Sequence, residues 1–423
     1  MTQGSTNTAT AASTLPSLAM TLTIQALASA ALIAPTAVAP VITGEMALPA
    51  AAVGLYIAVA YLGAMVASVL GSHLVLHRGA IRTSQYALGL CALGLGLIAT
   101  GWTPAAALGA FALGLGYGPI TPASSQILAR TTPAHRVGLV FSLKQTGVPL
   151  GGVIAGLAVP PLTLATGWPI ALLCIALAAA ACALMSQTLR ASLDVDLSDT
   201  AHRPGLAALI QPVRIVWKEP RLRTLAMCSL AFSAVQVCLT AFLVSYLTVQ
   251  LRWPLVAAGV ALSVSQVAGV VGRVLWGWVA DHGPGARSML VMLCTAMIAS
   301  GLAMPLLDPA SPQALVLATV MIYGGTAIGW NGVYLAAVAR LAPPGQAGVA
   351  TGGTQRVVDH RRPGCDRPQP TVRADRRRRR ARHVHVVRRA GQPGAAAHRA
   401  RPLHPRRRLG ARARRDCAAR RTA

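Results

Sequence analysis

Two basic side chains inside apolar segments are the residues of this sequence best placed to do chemistry. The first is Lys144, which follows the opening of an apolar segment near residue 139 and stands beside Ser142, Gln145 and Thr146. A charge in the core of a membrane helix costs about 2.5–3.5 kcal/mol on insertion scales and is rarely kept without a partner or a water-filled cavity. The Lys144 ammonium could therefore attract an anionic substrate. Alternatively, it could extend to the membrane surface or bond the carbonyls of a helix end.

The second cation is Arg273, within the sequence GRVLWGWVADH at residues 272–282. In a helix that rises about 1.5 Å per residue, Arg273 lies roughly 12 Å further into the membrane than Asp281. Arg273 could pair with Asp281 at a gate or bind substrate. Other polar groups in apolar segments are candidates for the lining of a central cavity, although each could instead bond a neighbouring helix: Gln25, Tyr117, Gln126, Gln145, Gln236, Gln266, Trp330 and Asn331.

No catalytic or cofactor motif accompanies these residues. The sequence lacks the GxSxG, HExxH, P-loop and Rossmann patterns, so we expect a protein that is not an enzyme and that uses no cofactor or metal. The cysteines form no CxxC or Cys/His pattern, and those in apolar segments are expected to pack as small apolar residues. The alternating acids Asp194, Asp196 and Asp199 are expected to be solvated.

Composition and hydropathy indicate a helical membrane protein. The chain has 423 residues, of which 54% are hydrophobic and 12% charged, and its mean hydropathy is +0.55. The apolar residues come in runs of about 18 or more, each long enough to span a hydrocarbon core of about 30 Å. The predicted spans are residues 18–42, 53–76, 84–101, 104–129, 139–162, 168–189, 224–249, 255–280, 288–307 and 313–339.

The cations of the loops predict the orientation, because Lys and Arg in short loops are retained on the cytoplasmic side. With the N-terminus in the cytoplasm, Arg252 faces outward and the other loop cations of these spans face inward. Those inward-facing cations are Arg78, Arg82, Arg130, Arg136, Arg190, Arg203, Arg214, Lys218, Arg221, Arg223, Arg287 and Arg340. We expect a multi-pass protein of the cytoplasmic membrane.

Two internal matches at nearly the same offset indicate a duplicated unit. VASVLGSHLVLHRGAIR at residues 66–82 aligns with VGRVLWGWVADHGPGAR at residues 271–287. RVGLVFSLKQTGVPLGG at residues 136–152 aligns in part with GQAGVATGGTQ at residues 345–355. Such repeats are typical of transporter folds. They divide the chain into a polar segment (1–17), a six-helix half (18–189), a linker (190–223), an incomplete second half (224–355) and a tail (356–423).

The turn GWVADH, followed by Arg287, resembles the basic turn after the second and eighth helices of the major facilitator superfamily. Its first-half counterpart has Leu76 in place of the family's aspartate and His77 in place of its arginine. The resemblance implies an all-α polytopic fold of two six-helix halves, with these turns locking the inner gate. The gating residues that it implies are Arg78, Gly79, Arg82, Arg273, Gly277 and Asp281.

Glycines in the fifth span carry a second, weaker resemblance. Gly138, Gly147 and Gly151 match part of a glycine motif that antiporters of this superfamily show in the fifth helix, but Val148-Pro149 departs from its order. Small residues also let helices approach closely, so packing alone explains most of this pattern.

The composition changes abruptly after Gln355. Residues 356–423 hold 23 of the 38 Lys and Arg residues and contain no apolar run, so ten spans are readable and the last two of a twelve-helix fold are not found. Arginine codons of the form CGN, read one nucleotide on, encode Val, Ala, Gly or Asp, so an out-of-frame end of the gene is one interpretation, which resequencing of the DNA tests. The other is a basic disordered extension that binds anionic lipid or nucleic acid.

Together these features predict a secondary transporter that moves a small solute by alternating access. Lys144 and Arg273, without an Asp or Glu in the middle of any predicted span, favour a small organic or inorganic anion, and proton coupling is left open. The alternatives are a proton-coupled drug efflux antiporter, which usually needs a membrane carboxylate, and a non-functional product of a frame-shifted gene. We expect a monomer in the bilayer, and no nucleic-acid partner because the net charge of +27 belongs mainly to the tail.

Overall fold

The fold is that of a computed structural model, which describes residues 4–133, 136–194, 217, 220–283, 285–334 and 337. These residues are almost entirely helical, and no strand occurs among them. Eight of their helical segments are long and apolar enough to cross a membrane, and a shorter apolar helix lies at Ala52–Ser68. The predicted all-α polytopic fold is therefore confirmed. The repeat segment at residues 345–355, which matches the start of the fifth span, and the tail at 356–423 lie outside the described residues.

The described residues of the first half, 4–133 and 136–194, form ten helices. They are α1 (Gly4–Ala37), α2 (Ala39–Glu45), α3 (Ala52–Arg78), α4 (Ala80–Ala99), α5 (Thr103–Tyr117), α6 (Ile120–Thr131), α7 (Val137–Gln145), α8 (Gly147–Thr166), α9 (Trp168–Met185) and α10 (Gln187–Leu193). The fourth predicted span is divided between α5 and α6 at Pro119, because proline has no N–H to donate to the preceding turn and its ring clashes there.

The second half, from residue 220 onward, contains four longer helices among the described residues. They are α11 (Pro220–Ser245), extended by a π-helical turn (Tyr246–Gln250), α12 (Leu255–His282), α13 (Gly285–Ala303), extended by a 3-10 turn (Met304–Leu306), and α14 (Gln313–Ala327). Pro254 and Pro312 stand immediately before α12 and α14. Proline is well tolerated there because the first residues of a helix need no intrahelical N–H donor.

Glycines allow the helices to approach closely. A Cβ added to Gly114 of α5 would lie 1.8 Å from the carbonyl oxygen of Ala60 in α3. Between the two halves, a Cβ on Gly156 of α8 would lie 2.5 Å from the Gly259 oxygen, and one on Gly259 of α12 would lie 2.4 Å from the Gly156 oxygen. Backbones at such distances gain the van der Waals contacts that drive helix association in lipid. The α8–α12 contact is thus a close junction between the halves.

The central helix α1 is covered more completely than its counterpart α11. In the apolar window of α1, 72% of the residues are buried, whereas the corresponding share for α11 is 28%. Helix α8 packs along α1, where a Cβ on Gly151 would lie 2.3 Å from the Ala26 oxygen. Within the described residues, no helix covers α11 as extensively as α8 covers α1. The second half therefore leaves more helix surface without protein contacts.

Replacing Gly114 by alanine is expected to destabilise the first half. The added methyl group must push α3 and α5 apart, and overpacking of this kind costs about 1–3 kcal/mol. Thermal unfolding of the detergent-purified chain should show a lower midpoint for Gly114→Ala. Gly89→Ala is the matched control, since a Cβ at Gly89 meets nothing within 4 Å and alanine favours helix. Equal midpoints for the two variants would contradict the close α3–α5 contact.

Candidate functional site

A cavity lies among α1, α3, α5, α8, α11 and α12. Its volume is about 470 Å³, counting the part that opens to solvent. Three of the predicted site residues, Tyr117, Gln236 and Gln266, line it. The cavity also has polar lining residues that the sequence analysis did not single out: Ser29, Thr36, Tyr61 and Thr240. The periodic placement of Ser29 and Thr36 on the same helix as Gln25 is the sequence signal for the first two.

Hydrogen bonds tie two further predicted residues to the cavity wall. The Gln236 side-chain oxygen accepts from Trp330 Nε1 at 3.2 Å and from Asn331 Nδ2 at 3.3 Å. The Trp330 ring makes edge-to-face contacts with Phe232 and Tyr334, at centroid distances of 5.4 and 5.3 Å. One turn further along α11, Thr240 Oγ1 donates to the Gln236 carbonyl oxygen at 2.9 Å and accepts from Gln266 Nε2 at 3.5 Å. The wall formed by α11, α12 and the end of the α14 span is therefore a connected polar surface.

Lys144 is buried, with 1% of its side chain exposed. Its Nζ donates to Gln145 Oε1 at 3.4 Å, which is longer than an ordinary hydrogen bond of this type. No carboxylate of the described residues forms a salt bridge with it. The acids of the described residues all lie at helix ends or in loops: Glu45, Asp194, Asp281 and Asp308. The ammonium thus has no counter-charge in the described part of the protein.

Arg273 bonds to two backbone carbonyls. Its Nη1 donates to the Gln145 oxygen at 2.6 Å, and its Nε donates to the Ile328 oxygen at 3.2 Å. Its predicted partner Asp281 is not among its contacts. Because Gln145 belongs to α7 and Ile328 follows α14, this guanidinium links the two halves. Gln145 contacts both cations: its side chain accepts from Lys144, and its backbone carbonyl accepts from Arg273. Tyr117 also lies close enough to Arg273 for the two side chains to interact electrostatically.

Gln25 lies where α1 meets the start of α8. Its side chain is fully buried, and neither Nε2 nor Oε1 has a hydrogen-bond partner. A Cβ added to Gly147 would lie 3.0 Å from the Gln25 Cβ. Gly147, the first residue of α8, therefore packs directly against the Gln25 side chain. Gly147 follows Lys144 by three residues.

Gln126 lies elsewhere. It lines a separate small cavity, together with Gly79, Arg130 and Asp194, near the ends of α3, α6 and α10. The side-chain oxygen of Gln126 is buried without a hydrogen-bond partner. The sequence pattern predicts Gln126 at the central cavity, whereas the structure places it beside the turn between α3 and α4.

The Asp194 carboxylate, which the sequence pattern predicts to be solvated, caps the helix that follows this turn. Asp194 Oδ1 accepts from the Ile81 N–H at 3.0 Å, and its Oδ2 accepts from the Arg82 N–H at 3.1 Å. A carboxylate at this position satisfies free N–H groups and interacts favourably with the dipole of α4. Gly79, with φ of 90°, lies so close that a Cβ there would clash with Asp194.

The predicted gating residues occupy two turns with different surroundings. In the first turn, Arg78 Nη1 donates to the Tyr86 hydroxyl at 3.4 Å and the Arg82 guanidinium lies 5.7 Å from the Tyr86 ring centroid. In the second turn, Asp281 and His282 are exposed, and His282 stacks on Trp278 at 4.9 Å. A Cβ at Gly277 would meet nothing within 4 Å. The first turn is thus stabilised by hydrogen bonds to Asp194, whereas the side chains of Asp281 and His282 in the second turn are exposed.

The family model of the Major Facilitator Superfamily matches residues 19–357. The chain belongs to the major facilitator superfamily. It is therefore a multi-pass membrane protein and a transporter of the secondary kind. Membership of this family points to transport without enzymatic catalysis. No curated protein matches the sequence.

Solved transporter structures share the fold. A variant of the nucleoside transporter NupG is similar with a TM-score of 0.64 and 16% identity, covering 80% of this chain and 86% of that chain. A bacterial homologue of the human lysosomal transporter Spinster, inward-facing and occupied, gives 0.60 and 15%, with coverages of 79% and 76%. A D-xylose-proton symporter gives 0.59 and 16%, with coverages of 81% and 87%. At these identities the likeness shows the fold alone.

Removing the Asp194 carboxylate is expected to loosen the start of α4. Loss of such a cap costs about 0.5–2 kcal/mol, so in Asp194→Ala the amides of Ile81 and Arg82 should exchange hydrogen faster. Asp194→Asn keeps an acceptor and should recover part of the protection. Hydrogen-exchange mass spectrometry can follow this segment, with the start of α5 as an internal control. Unchanged exchange in Asp194→Ala would show that Asp194 does not cap α4.

Proposed function

We propose that this chain carries a small anion across the cytoplasmic membrane by alternating access, with its N-terminus in the cytoplasm. The observation that supports this most is the Lys144 ammonium, which is 1% exposed and has no carboxylate partner among the described residues. A buried charge without compensation is strongly destabilising. An anion that enters beside α7 supplies the missing counter-charge.

The second cation supports the same substrate charge. The carbonyl oxygens of Gln145 and Ile328 accept hydrogen bonds from Arg273, but no acid among the described residues compensates its positive charge. A guanidinium can bind a carboxylate through two parallel hydrogen bonds, which are stronger than bonds to neutral acceptors. Because Gln145 contacts both Lys144 and Arg273, an anion bound near Gln145 can interact with both cations.

The position of Arg273 suggests how binding is coupled to movement. Arg273 connects α12 of the second half to α7 of the first half through the Gln145 carbonyl. An anion that competes for this guanidinium weakens the connection and shifts the balance between the two arrangements of the halves. We propose that the turns with Arg78, Gly79 and Arg82 and with Gly277 and Asp281 close the cytoplasmic end.

Drug export is the competing function. Proton-coupled export usually needs a carboxylate within the membrane, and the acids of the described residues lie at helix ends or in loops. This distribution favours the anion carrier. The two functions predict opposite behaviour of a Lys144 variant.

Lys144→Ala in proteoliposomes is expected to lower carboxylate uptake by roughly 10- to 100-fold, because a hydrogen bond to a charged group contributes about 1.5–3 kcal/mol. Lys144→Arg keeps the charge and should retain part of the uptake. The control is Arg223→Ala, which removes an exposed cation at the start of α11 and should leave uptake within about twofold, as surface charges contribute little. Unchanged carboxylate uptake in Lys144→Ala, together with expulsion of cationic dyes, would favour drug export.

A further inference from the structure

We propose that Gln25 selects carboxylates that carry a hydroxyl group on the neighbouring carbon, that is 2-hydroxy acids, over the same acids without the hydroxyl. This inference rests on the proposed function, because it names the class of anion that Lys144 binds. Gln25 would act as a specificity-determining residue of that site.

The side chain of Gln25 lacks the partners that a buried amide needs. It is 0% exposed, and neither its nitrogen nor its oxygen has a hydrogen-bond partner. A carboxamide can donate two hydrogen bonds and accept two, and each buried group without a partner destabilises the folded protein. Substrate groups that both donate and accept would remove this cost.

Gln25 continues the face of α1 that lines the central cavity. Ser29, Ile33 and Thr36 line that cavity, and they follow Gln25 at intervals of four, eight and eleven residues. Residues at these spacings share one face of a helix. Gln25 is therefore one turn beyond the cavity lining, on the same side of α1.

Lys144 lies on the matching side of the neighbouring span. Helices α7 and α8 form one span, Leu139–Thr166, in which Lys144 precedes Gly147 by three residues. Gly147 packs against the Gln25 side chain, and Gly151 packs against Ala26 and Ser29. Because residues three and seven apart share a helix face, Lys144 belongs to the face that meets α1. An anion bound by Lys144 is then about one helical turn from Gly147 and next to Gln25.

The chemistry of the two sides selects a hydroxy acid. Lys144 and Arg273 provide donors for a carboxylate, whereas the Gln25 oxygen needs a donor that a simple carboxylate lacks. A 2-hydroxyl group donates to Gln25 Oε1 and can accept from Nε2, so it satisfies both ends of the amide. An ammonium group could also donate to Oε1. However, it would add a third cation beside Lys144 and Arg273, where the described residues offer no carboxylate.

Gln126 shows why an unsatisfied glutamine is not sufficient. Its side-chain oxygen is also buried without a partner. It shares its cavity with Arg130 and with the carboxylate of Asp194, so a counter-charge is already present there. Of these two glutamines, Gln25 alone packs against the helix span that carries Lys144, and the described residues provide no acid there.

The test is equilibrium binding of radiolabelled lactate and propionate to the purified full chain in detergent. These acids differ by the 2-hydroxyl group. The unmodified chain should bind lactate about fivefold to tenfold more tightly, since one additional hydrogen bond contributes about 1 kcal/mol. In Gln25→Leu the ratio of the two affinities should fall to about one, with propionate bound at least as well as before. Gln187→Leu, which replaces an exposed glutamine of α10, should keep the wild-type ratio.

The outcomes separate this inference from the proposed function. If the unmodified chain binds both acids equally, the role of Gln25 is refuted and the anion carrier stands. If it binds neither of these acids nor any other small anion, both proposals fail. If Gln25→Leu weakens both acids by the same factor, Gln25 has a structural role only. Gln25→Asn, which keeps a shorter amide, should retain part of the preference. If Gln25→Leu does not fold, the test rests on two measurements: the ratio of lactate to propionate affinity in the unmodified chain and the same ratio in Gln25→Asn.

Discussion

The Lys144 ammonium, buried between helices without a carboxylate partner among the described residues, is the constraint on which the account of this molecule depends. In a bilayer, a charge needs an acid, water or a ligand as its partner. The structure brings Arg273 to the same residue, Gln145, and within the described residues carbonyl oxygens accept the hydrogen bonds of its guanidinium. These two positive charges have no acid beside them among the described residues, and we propose that an anion binds there, where the halves of the transporter meet.

Close helix packing gives this place its shape. Gly147 and Gly151 bring α8 against α1, and Gly156 with Gly259 brings α8 against α12. Helix α8 thus contacts both the central helix of its own half and a helix of the other half. A change at Lys144, at the start of this span, can therefore affect the contact between the halves. In our proposal, this arrangement links the charge of the substrate to the rocking motion expected of the superfamily.

The sequence predicted the fold well because hydropathy dominates in membrane proteins: the predicted span 255–280 is α12 (Leu255–His282), and 168–189 begins with α9 at Trp168. Backbone polar groups must be bonded within a helix in lipid, so apolar runs fold predictably. The long-range polar contacts were not predictable. Asp194 caps a helix whose first residues are more than a hundred positions earlier. Gln126 and Gln25 are the same type of residue in apolar segments, so the sequence predicts the same role for both. They differ in their neighbours in the folded structure. The fourth span is divided at Pro119, as proline chemistry favours. Its division was not predicted, because hydropathy alone shows one continuous apolar run.

The most direct test of the central claim is thermal unfolding of the unmodified chain in detergent with increasing concentrations of small carboxylates or, in parallel, of amines of similar size. Binding to the folded state stabilises it by about 2.7 kcal/mol at a ligand concentration of one hundred times Kd. Our account predicts that carboxylates raise the unfolding midpoint, that amines do not, and that Lys144→Gln abolishes the rise. A midpoint that rises with amines and not with carboxylates would contradict it.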